Sequence, residues 1–295
     1  EGIKKSLDRL LSQNYIGRSG DTYNFLTDEE QRIQEDINIV SVDTANIVER
    51  ISHMIYGDIY TTKKFRYKKY DFAFDQYVDN VMTGAPTGGM RLRFMTVNTD
   101  EEKKNDLYLM PASSGEAIVV LDESNYYENL KQAMKIRKYV KQRNITELSK
   151  TVQDIIRNQQ EEATTYEQDA MEDLKKAIVN AQFYVDGEHL EIKTGNAKSR
   201  IEQSLEYLVA HVYSKLDLIT ENADSDADII AILTGAVSLL PGVELNRDAV
   251  SAMEEYLEMQ DAKKLPTSMA DVQSKYSAIP YGWKEIDIAA VAAQL

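Results

Sequence analysis

The sequence predicts an α+β chain that is predominantly helical, and three observations predict it. Apolar residues recur at three- and four-residue spacing over most of the length. Between about 57 and 121 that rhythm stops, and glycine, proline and aromatic residues rise around short β-prone runs. Farther on, Asp186-Gly187 separates two such runs, the pattern of a tight hairpin turn.

The first element is a helix over 3–13, with Ile3, Leu7, Leu10 and Leu11 on one stripe. Tyr15–Arg18 and Thr22–Leu26 flank the turn Ser19-Gly20-Asp21 and read as a hairpin. A helix followed at once by a hairpin is the second half of a winged helix. Thr27 then caps a new helix, with Glu30 at the capping-box position. A further helix is expected over 43–56, bearing Ile47, Val48, Ile51, Met54 and Ile55. These elements form a partial winged helix with its following helices, 1–56. Entry into an amphipathic helix directly after Glu1 reads as a fragment of a larger polypeptide.

Arg91–Thr96, Leu107–Met110 and Ala117–Leu121 read as strands of a small antiparallel β module, 57–123, because the connections are too short for helical crossovers. Residues 124–182 are helical with a break near Asn144, and 197–219 form another helix, with Ile201, Leu205, Leu208, Val212 and Leu216 on its stripe. The two stripes predict a long antiparallel helical arm, 124–222, with a β-hairpin at 183–193. A C-terminal helical module follows at 223–295. There Asn246 is expected to cap one helix, Pro266-Thr267 to start another, and Pro280-Tyr281-Gly282-Trp283 to precede the last.

Composition removes several function classes. The 295 residues contain no cysteine, which excludes disulfides, thiol catalysis and thiolate-bound zinc. His53, His189 and His211 lie far apart in sequence and offer little to a metal or catalytic site. The net charge of −15 opposes wholesale binding to nucleic acid. No apolar run approaches the ~18 residues of a membrane span and no secretory signal opens the chain, so the cytoplasm is expected.

Gly84-Ala85-Pro86-Thr87-Gly88-Gly89-Met90 invites a phosphate-loop reading. However, Met90 and Arg91 stand where that motif needs Lys and Ser/Thr. A turn leading into a strand is the better reading. No catalytic, cofactor-binding or metal site is expected, and no cofactor. What remains are basic islands in an acidic chain. Lys4, Lys5 and Arg9 lie off the first helix's apolar stripe, with Arg18 on the hairpin; Lys63, Lys64, Arg66, Lys68 and Lys69 interleave with aromatics; and Lys131, Lys135, Arg137, Lys138, Lys141 and Arg143 fall in a stretch without acids. Cations can track phosphates and aromatic faces can stack on bases. Equally, such lysines can be a solvated edge or helix face over a buried aromatic core.

The string from Ile16 to Gln31, IGRSGDTYNFLTDEEQ, resembles the segment after the ATPase module in the large P-loop protein of bacterial BREX phage-defence systems. So does the pattern from Tyr70-Asp71-Phe72-Ala73-Phe74 through Val78-Asp79 to Met90–Thr96. Pro280-Tyr281-Gly282-Trp283 ahead of an Ile/Ala helix is similar to modules in related large ATPases. The resemblance implies a non-catalytic region of an antiviral, AAA-like ATPase, holding partners or DNA for a motor encoded elsewhere. Its partners would be other proteins of the defence complex, with DNA as a further contact and self-association through the arm. The competing reading is a scaffold that never touches nucleic acid.

Overall fold

A computed structural model describes residues 2–19, 22–193, 195–235 and 245–295. The chain opens with helix α1 (Gly2–Ser12) and the antiparallel hairpin β1 (Ile16–Ser19) and β2 (Thr22–Phe25), as its pattern predicts. The turn residues Gly20 and Asp21 lie outside the described residues. Thr27 and Glu30 form the expected reciprocal capping box at the start of α2 (Asp28–Ile39): the Thr27 hydroxyl accepts from the Glu30 N–H, and the Glu30 carboxylate accepts from the Thr27 N–H at 2.8 Å.

Helix α3 (Thr44–His53) buries Ile47, Val48 and Ile51 and runs into a π-helical turn over Met54–Ile59. The sheet follows: β3 (Lys64–Tyr67), β4 (Tyr70–Val78), β5 (Val81–Thr83), β6 (Met90–Met95), helix α4 (Asp106–Ala112) and β7 (Glu116–Val120). Leu107–Met110, which read as a strand, is this helix. Asn105 caps it by accepting from the Tyr108 N–H at 3.1 Å, a local bond that outweighs a short apolar run.

Next come α5 (Tyr126–Lys141), α6 (Lys150–Val179), the hairpin β8 (Gln182–Val185) and β9 (Glu188–Leu190), and α7 (Ala197–Val212). The sheet runs β3-β4-β6-β7-β8-β9, with β5 sharing the β3 edge of β4. It is mixed. Its outer pairings are antiparallel, but β4–β6 and β6–β7 are parallel, where a small antiparallel module was expected. The link from β6 to β7 carries a crossover helix, α4, while the chain returns from β4 to the parallel β6 through β5 and the glycine-rich turn.

The predicted arm is also corrected. Helix α6 pairs lengthwise with α5: Asn129 meets Asp173 and Arg137 meets Glu167, so the two run antiparallel. The hairpin does not tip an arm; β8 pairs with β7 and extends the sheet. Helix α7 lies over the sheet with Ile201, Leu205, Leu208 and Val209 fully buried, in one core with Phe74, Leu92, Phe94 and Val119. The second half of α6, through Ala170, Leu174, Ala177 and Ile178, shares that core with α7, but the helix that α6 pairs with lengthwise is α5.

Strand alternation gives the sheet two unlike faces. Met90, Leu92 and Phe94 of β6 point into the main core, beneath α3, α7 and the second half of α6. Arg91, Arg93 and Met95 point to the other face. There α4 covers only a small cluster of Met95, Leu109, Ile118, Val120 and Tyr184.

The last part holds α8 (Asp226–Leu233), α9 (Arg247–Ala262), α10 (Met269–Ser277) and α11 (Glu285–Ala292). Asn246 precedes α9 but does not cap it through its side chain. Buried and left-handed, it accepts from the Thr220 and Glu221 N–H groups at 2.8 and 2.9 Å and returns a bond to the Glu221 carbonyl. It therefore clips the 220–221 strand of chain to the start of α9. Ser268, one residue beyond the expected Pro266-Thr267, caps α10 with Asp271.

Candidate interface and the domain junction

The three basic islands meet different fates. On α1, Lys4, Lys5 and Arg9 are exposed, and so is the helix's own apolar Ile3 at 81 %. Arg18 lies on β1, but its side chain is outside the described residues. In the second island, Phe65, Tyr70, Phe72 and Phe74 face the core while Lys63, Lys64, Arg66, Lys68 and Lys69 stay in solvent. Arg66 pairs with Asp71 at 2.7 Å and Lys68 with Asp217. The aromatics are thus committed to packing and are not available for stacking on bases.

The third island is knitted into the fold. Lys135 donates to the Asn38 carbonyl at 2.8 Å and Lys138 to the Ser41 carbonyl at 2.9 Å, tying α5 to the chain leaving α2. Arg143 binds Asp36 at 2.7 Å, Arg137 binds Glu167, and Lys131 sits 3.4 Å from Glu128. Five of the six cations in 131–143 therefore have partners within the chain, and Lys141 is exposed. Each island thus has its own setting: exposed on α1, solvated along the β3 edge, and bonded within the chain on α5.

The glycine-rich segment is a turn between β5 and β6. Gly84 and Gly88 adopt φ of 82° and 70°, and the Thr87 N–H and hydroxyl both donate to Asp75. A Cβ on Gly89 would lie 2.6 Å from the Ala73 carbonyl oxygen, so glycine lets β6 approach β4.

Sequence reasoning missed the junction where the last helices meet the sheet. The Asp287 carboxylate is 1 % exposed and accepts from Tyr70 Oη at 3.2 Å, Asn222 Nδ2 at 2.9 Å and the Ala223 N–H at 2.9 Å. Burial, then the charge of Asp287, push the Tyr70 phenol well above its usual range. Beside it Trp283 stacks on Tyr276 at 4.7 Å and donates its indole N–H to the Lys215 carbonyl at 3.0 Å. Gly282 seats the turn against Tyr213 and Phe72. The available signal was Asp287 set between Ile286 and Ile288 in an otherwise apolar run, since a buried charge must find partners.

Among the described residues no helix is long and apolar enough to cross a membrane. No solved structure matches the chain. Residues 40–208 match the BREX ATP-binding protein BrxC 4th domain with six-stranded beta sheet, and 215–295 match the BREX ATP-binding protein BrxC winged helix-turn-helix domain. The first match takes in α3 through most of α7, including the sheet, which is six strands across with β5 added at one edge. The second covers α8–α11, the part read from sequence as a helical module; residues 236–244 within it lie outside the described residues. The Tyr70–Asp287 junction joins these two regions. With its fourth-domain match spanning more than half of the residues, the chain belongs to the BrxC family of BREX ATP-binding proteins.

Proposed function

We propose that this region is a non-catalytic assembly module of its family, which holds protein partners and does not track DNA. The observation that carries this reading is the fate of the basic helix, where five of six cations are already spent on bonds within the chain. Using them on phosphates would mean breaking those bonds. The winged-helix region supports the same reading. Residues 215–295 hold six Lys and Arg against fourteen Asp and Glu, a net −8, and such a surface repels a phosphate backbone. The buried junction supports a rigid spacing between the two matched domains, which suits a scaffold. In this reading ATP binding and turnover belong to other parts of the protein.

The test is fluorescence anisotropy of the purified chain with duplex DNA at ~50 mM salt, repeated as salt rises. No complex at tens of micromolar protein is the expected result. A salt-sensitive complex lost on Lys63→Glu, Lys64→Glu and Lys69→Glu would move the reading to DNA contact through the β3 edge, where these three cations are exposed.

A further inference from the structure

We propose that a hollow on the second face of the sheet binds a small molecule bearing an oxyanion, a phosphate or a carboxylate, with Arg91 as the residue that engages it. The hollow has a volume of about 310 Å³, within the range of small-ligand sites. Its floor is the second face of β6 and β7. Its walls are the segments that leave β4 and β6, residues 79–80 and 98–103, together with Tyr108 and Ala112 of α4. β4 and β6 are adjacent parallel strands, so two of the walls start at their carboxyl ends. Open sheets with parallel strands characteristically take ligands in that position.

Hydrogen bonding inside the hollow is lopsided. Each acid there is already satisfied. The buried Glu116 takes Arg93 Nε at 2.6 Å. Asp79 accepts from the Thr96 N–H, the Thr96 hydroxyl and the Thr99 hydroxyl, each at 2.8 Å. Asp100 takes Lys103 at 2.8 Å. Asp75, which lies opposite Arg91 on β4, is turned to Thr87. Arg93 is held further by the Asp79 carbonyl and lies 4.5 Å from the Tyr77 ring centre.

Arg91 is the exception. Its ion pair with Glu116 is longer, Nε at 3.4 Å against 2.6 Å for Arg93, and its side chain is 44 % exposed where that of Arg93 is 15 %. Glu116 needs one guanidinium to offset its burial and already has Arg93. The second, Arg91, is the more exposed of the two and lines the hollow together with Asn80 and Asn98. A guanidinium fork pairs two-pronged with a carboxylate or phosphate.

The experiment is calorimetric titration of the chain with pyrophosphate and, separately, malonate, at matched ionic strength in chloride. Saturable binding by at least one probe is expected, and the tighter of the two identifies the ligand's chemistry. Arg91→Gln should weaken it about tenfold or more. The variant's own melting temperature should hold, because Glu116 keeps Arg93. Lys69→Gln, an exposed cation outside the hollow, should leave affinity unchanged. If Arg91→Gln melts early, Arg91→Lys decides, since it keeps the charge and loses the fork, and it should also bind more weakly. No saturable binding by either probe up to roughly 10 mM, or binding indifferent to both Arg91 variants, would overturn the proposal.

Discussion

Tyr70 and Asp287, 217 positions apart, share a buried hydrogen bond of 3.2 Å that joins the sheet domain to the last helix of the winged-helix domain. Asn222 bonds both partners, reaching Tyr70 Oη at 2.7 Å and Asp287 at 2.9 Å, so the three side chains form a closed set. Asp287→Ala removes the acceptor of the Tyr70 hydroxyl and of the Ala223 N–H together, and leaves the Asn222 amide only its bond to Tyr70. A loss of about 2–4 kcal/mol is expected in urea unfolding. Tyr70→Phe removes one donor and leaves the carboxylate its other two, so about 0.5–1.5 kcal/mol is expected. A double-mutant cycle with additive losses would show that the two residues do not act as one junction.

Gly282 tests the same junction through shape. Its φ is +65°, and a Cβ there would lie 2.5 Å from Tyr213 Cδ1 and 3.1 Å from Phe72 Cε1. Both rings are buried and packed on each other at 4.4 Å between centres, so neither can swing away freely. Gly282→Ala should therefore cost about 2–4 kcal/mol, combining backbone strain with overpacking. Gly84→Ala is the control, because its φ is also positive but its Cβ would meet nothing within 4 Å. Equal losses in the two variants would mean that backbone strain alone matters.

Local signals in the sequence were reliable where a bond closes over a few residues. The capping box of Thr27 and Glu30, the Asp186-Gly187 turn and the break near Asn144 are all present. What the sequence hid was pairing at a distance. The apolar stripe on α6 does not say whether α5 or α7 fills it, and the hairpin at 182–190 does not say whether it stands alone or extends a sheet. The basic helix illustrates the same limit for a site. Its cations were plain to read, but their partners include carbonyl oxygens of Asn38 and Ser41, which have no side-chain signature. Arg91 was legible only as half of the charged-apolar alternation of β6, which marks a two-faced strand and not which face is open.

Lys138 separates the structural role of α5 from a nucleic-acid role. Its ammonium donates to the Ser41 carbonyl, and the helix is held to α2 by Lys135 and Arg143 alongside. Lys138→Glu should lower stability by about 1 kcal/mol through loss of that bond. It should leave any residual DNA affinity and its salt slope unchanged, read by the same anisotropy titration. A flattened salt slope with unchanged stability would reverse the assignment and return this helix to the list of phosphate contacts.

Glu162 predicts a pH effect of defined sign. It sits on α6 with Tyr166 and Gln159, and burial holds its carboxyl above the ordinary value; hydrogen bonds from those neighbours offset this only in part. Gln159 Nε2 donates to it at 3.0 Å, while Gln159 Oε1 is buried with no partner. Because the folded chain holds this proton more tightly than the unfolded chain, the contribution of Glu162 to stability is greatest below the ordinary glutamate value of ~4.3. It declines as pH rises from there through the raised value, and is flat above it. Glu162→Gln removes the charge and adds an amide donor within reach of the orphaned Gln159 Oε1. The variant should be more stable than the parent at neutral pH by about 0.5–1.5 kcal/mol, and the difference should shrink as pH falls toward 4. Thermal melts of both proteins across that range measure it. A variant less stable than the parent at neutral pH would show that the ionised carboxylate is wanted there, with its two neighbours oriented to hold it.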